Sequence, residues 1–330
     1  MAVITSTFST SKPKQLRPFD PRRDLKAVAD LIEHCFSNTL DPDGKRYLRQ
    51  MRAAAQRTGV NRWTSLVAST STLPLAGFVW EEAGEVVGNL SLVPFLYHGR
   101  RIYLIANVAV YPEYRRRGIA RALTSAALEK SRQRWVSATW LQVRSDNQAA
   151  TDLYTKLGFV PQARRTTWVT TPESLRGAPS LEMRVTFRRS RHWAKQQCWL
   201  AQNYPPRLRW HLPLKITAMK PGIWGSIYCF FNDIDVRHWV VEQDQELLGA
   251  LTWQGSSGFA DYLWLAAPAE YEDIVLSTLL PFIRRERRLK RPVSLDYPEN
   301  RAAETLSNAG FEPKSTLVWM EAKNDQKNTE

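Results

Sequence analysis

Two segments of this chain repeat one another, and the repeat constrains the fold more than any other feature. Residues 147–159 read N-Q-A-A-T-D-L-Y-T-K-L-G-F, and residues 300–311 read N-R-A-A-E-T-L-S-N-A-G-F. Each opens on Asn, runs at helical period and closes on a Gly placed where a helix C-cap wants a left-handed residue. The second copy is one residue shorter, since Asn147 and Gly158 are 11 steps apart and Asn300 and Gly310 are 10.

The order of elements around these segments recurs as well. Strand-like runs at 77–82, 85–94 and 101–110, punctuated by Ala83-Gly84 and His98-Gly99, predict an antiparallel meander. Helices are expected at 25–36, 45–57, 118–134 and 147–157, and strands at 139–144 and 159–169. After a Pro- and Gly-bearing stretch at 170–180, a helix is expected at 193–203 and strands at 239–242, 247–254 and 261–266. A helix at 270–289, a strand at 292–297, a helix at 302–309 and a strand at 315–321 complete the series. The reading is an α/β chain of two tandem domains, each a mostly antiparallel mixed sheet flanked by helices, the second a diverged copy of the first. The boundaries expected are a flexible tail at 1–15, a first domain at 16–172, a linker at 173–190, a second domain at 191–323 and a tail at 324–330.

Composition narrows the function classes. With 43% hydrophobic and 24% charged residues, 330 residues make a folded chain of two-domain length. No apolar stretch reaches the ~18–20 residues of a spanning helix, so a membrane-spanning protein is excluded and no membrane partner is expected. The Ser- and Thr-rich start lacks the apolar region of a secretory signal, which points to the cytoplasm. Cys35, Cys198 and Cys229 are widely spaced and odd in number, suiting neither a disulfide framework nor a zinc site. Reduced, buried thiols and no metal are expected. The net charge of +14 attracts polyanions but says nothing about fold.

The chemistry lies in residues 107–120, N-V-A-V-Y-P-E-Y-R-R-R-G-I-A. A strand ends near Tyr111-Pro112, a basic turn follows, and Gly118 opens an amphipathic helix. Unpaired backbone N–H groups and the positive end of the dipole face out from such a helix start. Gly118 and Ala120 let a bulky anion lie against the backbone, and Arg115, Arg116 and Arg117 add charge and forked donors. The combination suits a pyrophosphate better than an ordinary solvated basic turn does.

This arrangement resembles the GNAT superfamily of acyl-CoA-dependent N-acyltransferases. Arg115, Gly118 and Ala120 match the fixed positions of its R/Q-x-x-G-x-G/A loop. Asn147, Ala150, Leu153, Tyr154, Gly158 and Phe159 match its N-x-x-A-x-x-L-Y-x-x-x-G-F segment. The likeness is close over residues 16–169 and holds in outline beyond. It implies acetyl-CoA as cosubstrate and direct transfer to an amine-bearing acceptor, whether small molecule, peptide or protein. Val108 and Val110 would pair with the pantetheine arm, and Arg115, Arg116, Arg117, Gly118, Ile119 and Ala120 would hold the pyrophosphate. Asn147, which also suits a helix cap, would fix the pantetheine or the adjoining end of the cofactor. Tyr154, which also suits packing, would sit by the thioester sulfur and protonate the departing thiolate.

Some relatives carry a Glu that helps deprotonate the amine in the strand before this segment. Here that residue is Gln142, and an amide is no base. Glu81 and Glu82 are substitutes, although a solvated surface pair describes them equally well. In the second copy the loop equivalent is residues 267–273, A-P-A-E-Y-E-D, with no Gly and with Glu270, Glu272 and Asp273 at the helix start. These carboxylates satisfy the helix dipole and repel a diphosphate. The counterpart of Tyr154 is Ser307 or Leu306, and the copy is expected to shape the acceptor site. A non-catalytic acyl-CoA sensor or scaffold, and a basic nucleic-acid- or ribosome-associated module, are the competing readings. Of these the nucleic-acid reading rests mainly on charge, because the 13 Trp are scattered through strand-like runs that suit core packing.

Overall fold

The computed structural model describes residues 15–56, 76–97, 99–177, 183–285 and 289–323. The expected tails, apart from residue 15, lie outside these residues, as do residue 57 of the second helix, 178–182 of the linker and 286–288 of the long helix. In chain order the elements are β1 (Leu16–Pro18), α1 (Pro21–Phe36), α2 (Pro42–Ala55), β2 (Gly77–Glu82), β3 (Glu85–Tyr97), β4 (Arg100–Val110), α3 (Ile119–Gln133), β5 (Ala138–Arg144), α4 (Gln148–Lys156) and β6 (Val160–Thr170). There follow β7 (Arg184–Phe187), α5 (Trp193–Asn203), α6 (Pro206–Arg209), α7 (Ile216–Met219), α8 (Ile223–Asn232), β8 (Val236–Gln243), β9 (Glu246–Gln254), β10 (Asp261–Ala266), α9 (Glu272–Arg285), β11 (Val293–Pro298), α10 (Ala303–Asn308) and β12 (Glu312–Lys323). The series β2-β3-β4-α3-β5-α4-β6 thus recurs as β8-β9-β10-α9-β11-α10-β12.

The chain divides into two compact units, one of Met1–Phe95, Arg100–Trp140 and Lys323–Glu330, the other of Leu96–Gly99 and Leu141–Ala322. In the first unit β1 to β4 lie side by side in chain order. Both flanking helices begin where the sequence supplies a cap and a proline. Asp20 accepts the Arg22 N–H ahead of Pro21, and Asp41 accepts the Gly44 N–H at 2.6 Å behind Pro42. The apolar stripe of α1, with Leu25, Val28, Ala29 and Ile32, packs with Leu48 and Met51 of α2 and Val79 of β2. Helix α3 packs on β2 and β4. Its close approach depends on Gly88 in β3, where a Cβ would stand 2.9 Å from Ile119 Cγ2.

In the second unit the strand order is β5-β12-β6-β11-β10-β9-β8-β7. Strand β6 runs antiparallel to β12 on one side and β11 on the other, while β10 and β11 are parallel. The last strand of the first repeat therefore lies within the sheet of the second. That is why the compact units divide inside β5, away from the 173–190 stretch expected as a linker. This stretch also contains β7, because Val185 and Phe187 alternate with Arg184 and Thr186 and pair with β8. The core of this unit gathers Trp239, Trp264, Leu251, Leu276, Tyr297 and Leu306. Trp239 and Trp264 are fully buried, as the packing reading expects, whereas Trp135 is exposed. Cys198 is also exposed, against the expectation of buried thiols, and Cys35 and Cys229 are half-buried.

Candidate active site

The strand β4 carries a left-handed residue at Asn107, φ 52°, one position before Val108. Asn89 Nδ2 donates to the Asn107 carbonyl at 2.9 Å, and Asn107 Nδ2 donates to the Tyr47 hydroxyl at 3.4 Å. This anchors the kink from both β3 and α2. Asn89 is buried and its Oδ1 has no partner among the described residues. Sequence reading passed over Asn89, Asn107 and Tyr47; an Asn in a strand, where it is disfavoured, was the available signal.

Beyond β4 the loop takes a shape that leaves the start of α3 open. Arg116 has φ 64° and Gly118 has φ 79°, and Gly118 is the N-cap with no side chain capping the helix. Nothing lies within 4 Å of a Cβ built on Gly118, so the glycine serves the backbone conformation rather than making room in a crowded place. Residues 115–118 are exposed and Ile119 is buried beneath them. The N–H groups of the first helical turn consequently face solvent beside three arginines, an arrangement that fits an anion.

The arginines differ in their engagements. Arg115 Nε donates to the Val110 carbonyl at 3.1 Å, which also accepts the Cys35 thiol at 3.4 Å. The carbonyl of Val110 is thus occupied, and a ligand strand would meet it only by displacing Arg115. Arg117 donates to the Glu113 carbonyl at 3.1 Å, lies over the Tyr114 ring and stands 3.6 Å from Glu82. Arg116 pairs with none of the described residues and is the donor most available to a ligand.

Val108, Val110 and the loop belong to the first compact unit, and Asn147 and Tyr154 to the second. Asn147 caps α4, its Oδ1 accepting the Ala150 N–H at 3.1 Å. The cap leaves Nδ2 as a donor, so capping and ligand contact are compatible. Tyr154 is buried, its ring edge-on to Phe159 at 5.9 Å. Burial pushes its phenol up to about 12, so the hydroxyl keeps its proton at neutral pH. Gln142 is exposed on β5.

Glu81 is unsuited to the role of base. Its carboxylate accepts Arg17 Nε at 2.7 Å and Arg23 Nη2 at 2.8 Å, and the hydrogen bond from Arg17, followed by that from Arg23, holds it below the usual carboxylate range. Glu82 accepts the Trp80 indole N–H at 3.2 Å.

In the second copy Glu272 is the first residue of α9, and it is buried. It accepts the Tyr297 hydroxyl and two donors of Arg301, at 3.1 and 2.9 Å. The carboxylate expected to repel a diphosphate is therefore locked inside the protein with its own counter-charge. Asp273 accepts the Thr305 hydroxyl at 2.6 Å. The counterpart of Tyr154 is settled by backbone bonds. Phe159 N–H donates to the Tyr154 carbonyl at 3.0 Å and Phe311 N–H to the Leu306 carbonyl at 2.9 Å, which makes Leu306 the equivalent residue. The helix around it starts later: Ala302, φ 50°, is the N-cap of α10, so Asn300 does not cap as Asn147 does.

Among the described residues no group of His, Cys, Asp and Glu could hold a metal ion, and no helix is long and apolar enough to cross a membrane.

Comparison with known proteins agrees with this geometry. Residues 26–159 match the model of the acetyltransferase (GNAT) family. The [ribosomal protein bS18]-alanine N-acetyltransferase of Escherichia coli (strain K12) is 45% identical over 53 residues, 16% of this chain and 36% of that protein. The mycothiol acetyltransferase of Saccharomonospora viridis is 27% identical over 146 residues, 44% of this chain and 45% of that one. The chain thus spans under half the length of both curated relatives. A GCN5-related N-acetyltransferase from Sphaerobacter thermophilus shares the fold, with a TM-score of 0.57 at 15% identity over 95% of this chain and 97% of that one. The match to the GNAT family thus lies at residues 26–159, and the order of elements found there recurs in the second half of the chain.

Proposed function

We propose that the chain is an acetyl-CoA-dependent N-acetyltransferase whose first repeat binds the cosubstrate and whose second repeat has given up that capacity. The observation that carries this reading is the uncapped start of α3, opened by Gly118 at φ 79° beneath Arg115, Arg116 and Arg117. Those groups supply what a diphosphate needs: backbone N–H donors, the helix dipole and charge. Arg115 leaves the Val110 carbonyl when the anion arrives, which frees that carbonyl for the pantetheine amide.

The reaction needs no acyl-enzyme. The neutral amine nitrogen attacks the thioester carbon, the C–S bond breaks, and the amine loses a proton to solvent. The backbone N–H near Val108 polarises the carbonyl, and the kink at Asn107 sets its direction. The family resemblance assigns Tyr154 to the departing sulfur. A phenol at about 12 is a weaker acid than a thiol at ~8.5, so Tyr154 acts chiefly by donating a hydrogen bond to the thiolate as charge develops. With Gln142 in place of a carboxylate and Glu81 held by two arginines, neither position supplies a strong base, and in this reading the acceptor enters as the free amine.

The buried Glu272 at the start of α9, held by Tyr297 and Arg301, favours this reading over that of a pair of working sites. The test is incubation of the full chain with labelled acetyl-CoA and a cell extract, followed by identification of the labelled species. Label on one amine-bearing species, absent with a Gly118→Glu chain, is the expected result. Label only on the chain itself, or none, would remove the assignment as a transferase.

A further inference from the structure

From Met183 to Asn232 the chain has nine Lys or Arg and no Asp or Glu. Within this basic stretch lies α8, I-W-G-S-I-Y-C-F-F-N, a helix without a charged residue. One face of α8 is held inward. Gly225 lies so close to the Lys220 carbonyl that a Cβ would stand 2.0 Å from it, and the Cys229 thiol donates to the Ala218 carbonyl at 3.4 Å. Gly225 and Cys229 are four residues apart, so they define the inner side of the helix against α7.

The outer side is apolar and faces water. Ile223 is 76% exposed, Ile227 40%, Phe230 82% and Phe231 79%. Their spacing, i, i+4, i+7 and i+8, puts them on a single stripe. A soluble helix normally turns such a stripe toward the core; α8 leaves it in water. Side chains this exposed stand out from the surface rather than line a recess. Lys215 and Lys220 are exposed at the two ends of α7, the helix that meets the inner side of α8. The next acids along the sequence are Asp233, the C-cap of α8 two residues after Phe231, and Asp235, which lies 3.6 Å from Arg237.

We propose that α8 docks the protein on an anionic lipid surface. Ile223, Ile227, Phe230 and Phe231 enter the boundary between headgroups and acyl chains, while Lys215 and Lys220 rest against the acidic headgroups. The expectation of no membrane partner rested on the lack of a spanning segment, and a helix lying in the surface plane needs none. Charge favours lipid over a second copy of the chain. A two-fold contact through this face would bring its own lysines together, whereas an anionic bilayer meets them with opposite charge and adapts to protruding side chains.

The test is co-sedimentation of the full chain with phosphatidylcholine vesicles, with and without phosphatidylglycerol. Binding to the anionic vesicles alone, weakening with salt, is expected. Replacing both phenylalanines (Phe230→Ser with Phe231→Ser) should lower the partition at least about tenfold, and each of Lys215→Glu and Lys220→Glu about fivefold. All four positions are exposed, and an unchanged thermal midpoint verifies that the variants fold. Wild-type chain left in the supernatant, or double-serine chain that binds as wild type does, would overturn the proposal. So would a dimer seen by light scattering and abolished by the double-serine change, without vesicle binding. None of these readouts depends on acetyl transfer.

Discussion

Leu306 occupies in the second repeat the place that Tyr154 holds in the first, and the two differ in what surrounds them. Tyr154 retains a little exposure, at 7%, whereas Leu306 has none and lies in the core of its unit. At this position the second repeat thus has an aliphatic side chain closed into the core where the first has a phenol.

It follows that Leu306→Tyr should be destabilising without restoring any chemistry. A phenol ring forced into a closed core costs about 1–3 kcal/mol. Denaturant titration should show a lower midpoint with unchanged slope; full stability would mean that the core beside Leu306 has room for a ring.

Tyr154→Phe removes one oxygen and leaves the ring against Phe159. Turnover should fall about ten- to a thousandfold while acetyl-CoA affinity stays near wild type. Because burial holds the phenol at about 12, the wild-type rate should show no descending limb from this group up to about pH 11. A descending limb near pH 9 that vanishes in the Phe variant would assign Tyr154 an ordinary exposed acidity and contradict the burial argument.

Glu81 gives a prediction about stability rather than rate. Its folded-state acidity is shifted below the unfolded value by Arg17 and Arg23, so its contribution is present above the ordinary carboxylate range and lost as pH falls through the folded value. Glu81→Gln should therefore cost stability at neutral pH, about 1 kcal/mol or less given the partial exposure of the pair, and nothing in strong acid. The rate profile of the variant should match wild type. A lost ascending limb would make Glu81 the base after all.

At Gly118 the strain is purely conformational. Gly118→Ala meets no neighbour but must hold φ near 79°, which costs an L-residue about 1 kcal/mol. A modest fall in thermal midpoint with weakened acetyl-CoA binding is expected; a variant more stable than wild type would show that the loop relaxes to another shape.

Much of this was legible in the chain. The helical stripes of α1 and α3, the meander and the Gly-Phe closures came directly from periodicity and turn residues, since those elements bury one face and no more. What escaped reading was set by contacts distant in sequence. The helices α6 and α7 have four residues each and lie among Pro205, Pro206, Pro213 and Pro221, so neither is long enough for an apolar period to register. The insertion of β6 between β11 and β12 depends on strand partners more than a hundred residues away. At the site, the loop residues were visible because a helix start needs particular residue types. The Asn89–Asn107–Tyr47 anchor was not, because it is assembled from three elements.

The central claim is that one repeat binds acetyl-CoA and the other cannot, and titration calorimetry of acetyl-CoA into the full chain tests it most directly. One site per chain is expected, with affinity of about micromolar to submillimolar, abolished by Gly118→Glu and untouched by Glu272→Gln. Two sites per chain, or one that survives Gly118→Glu, would contradict it.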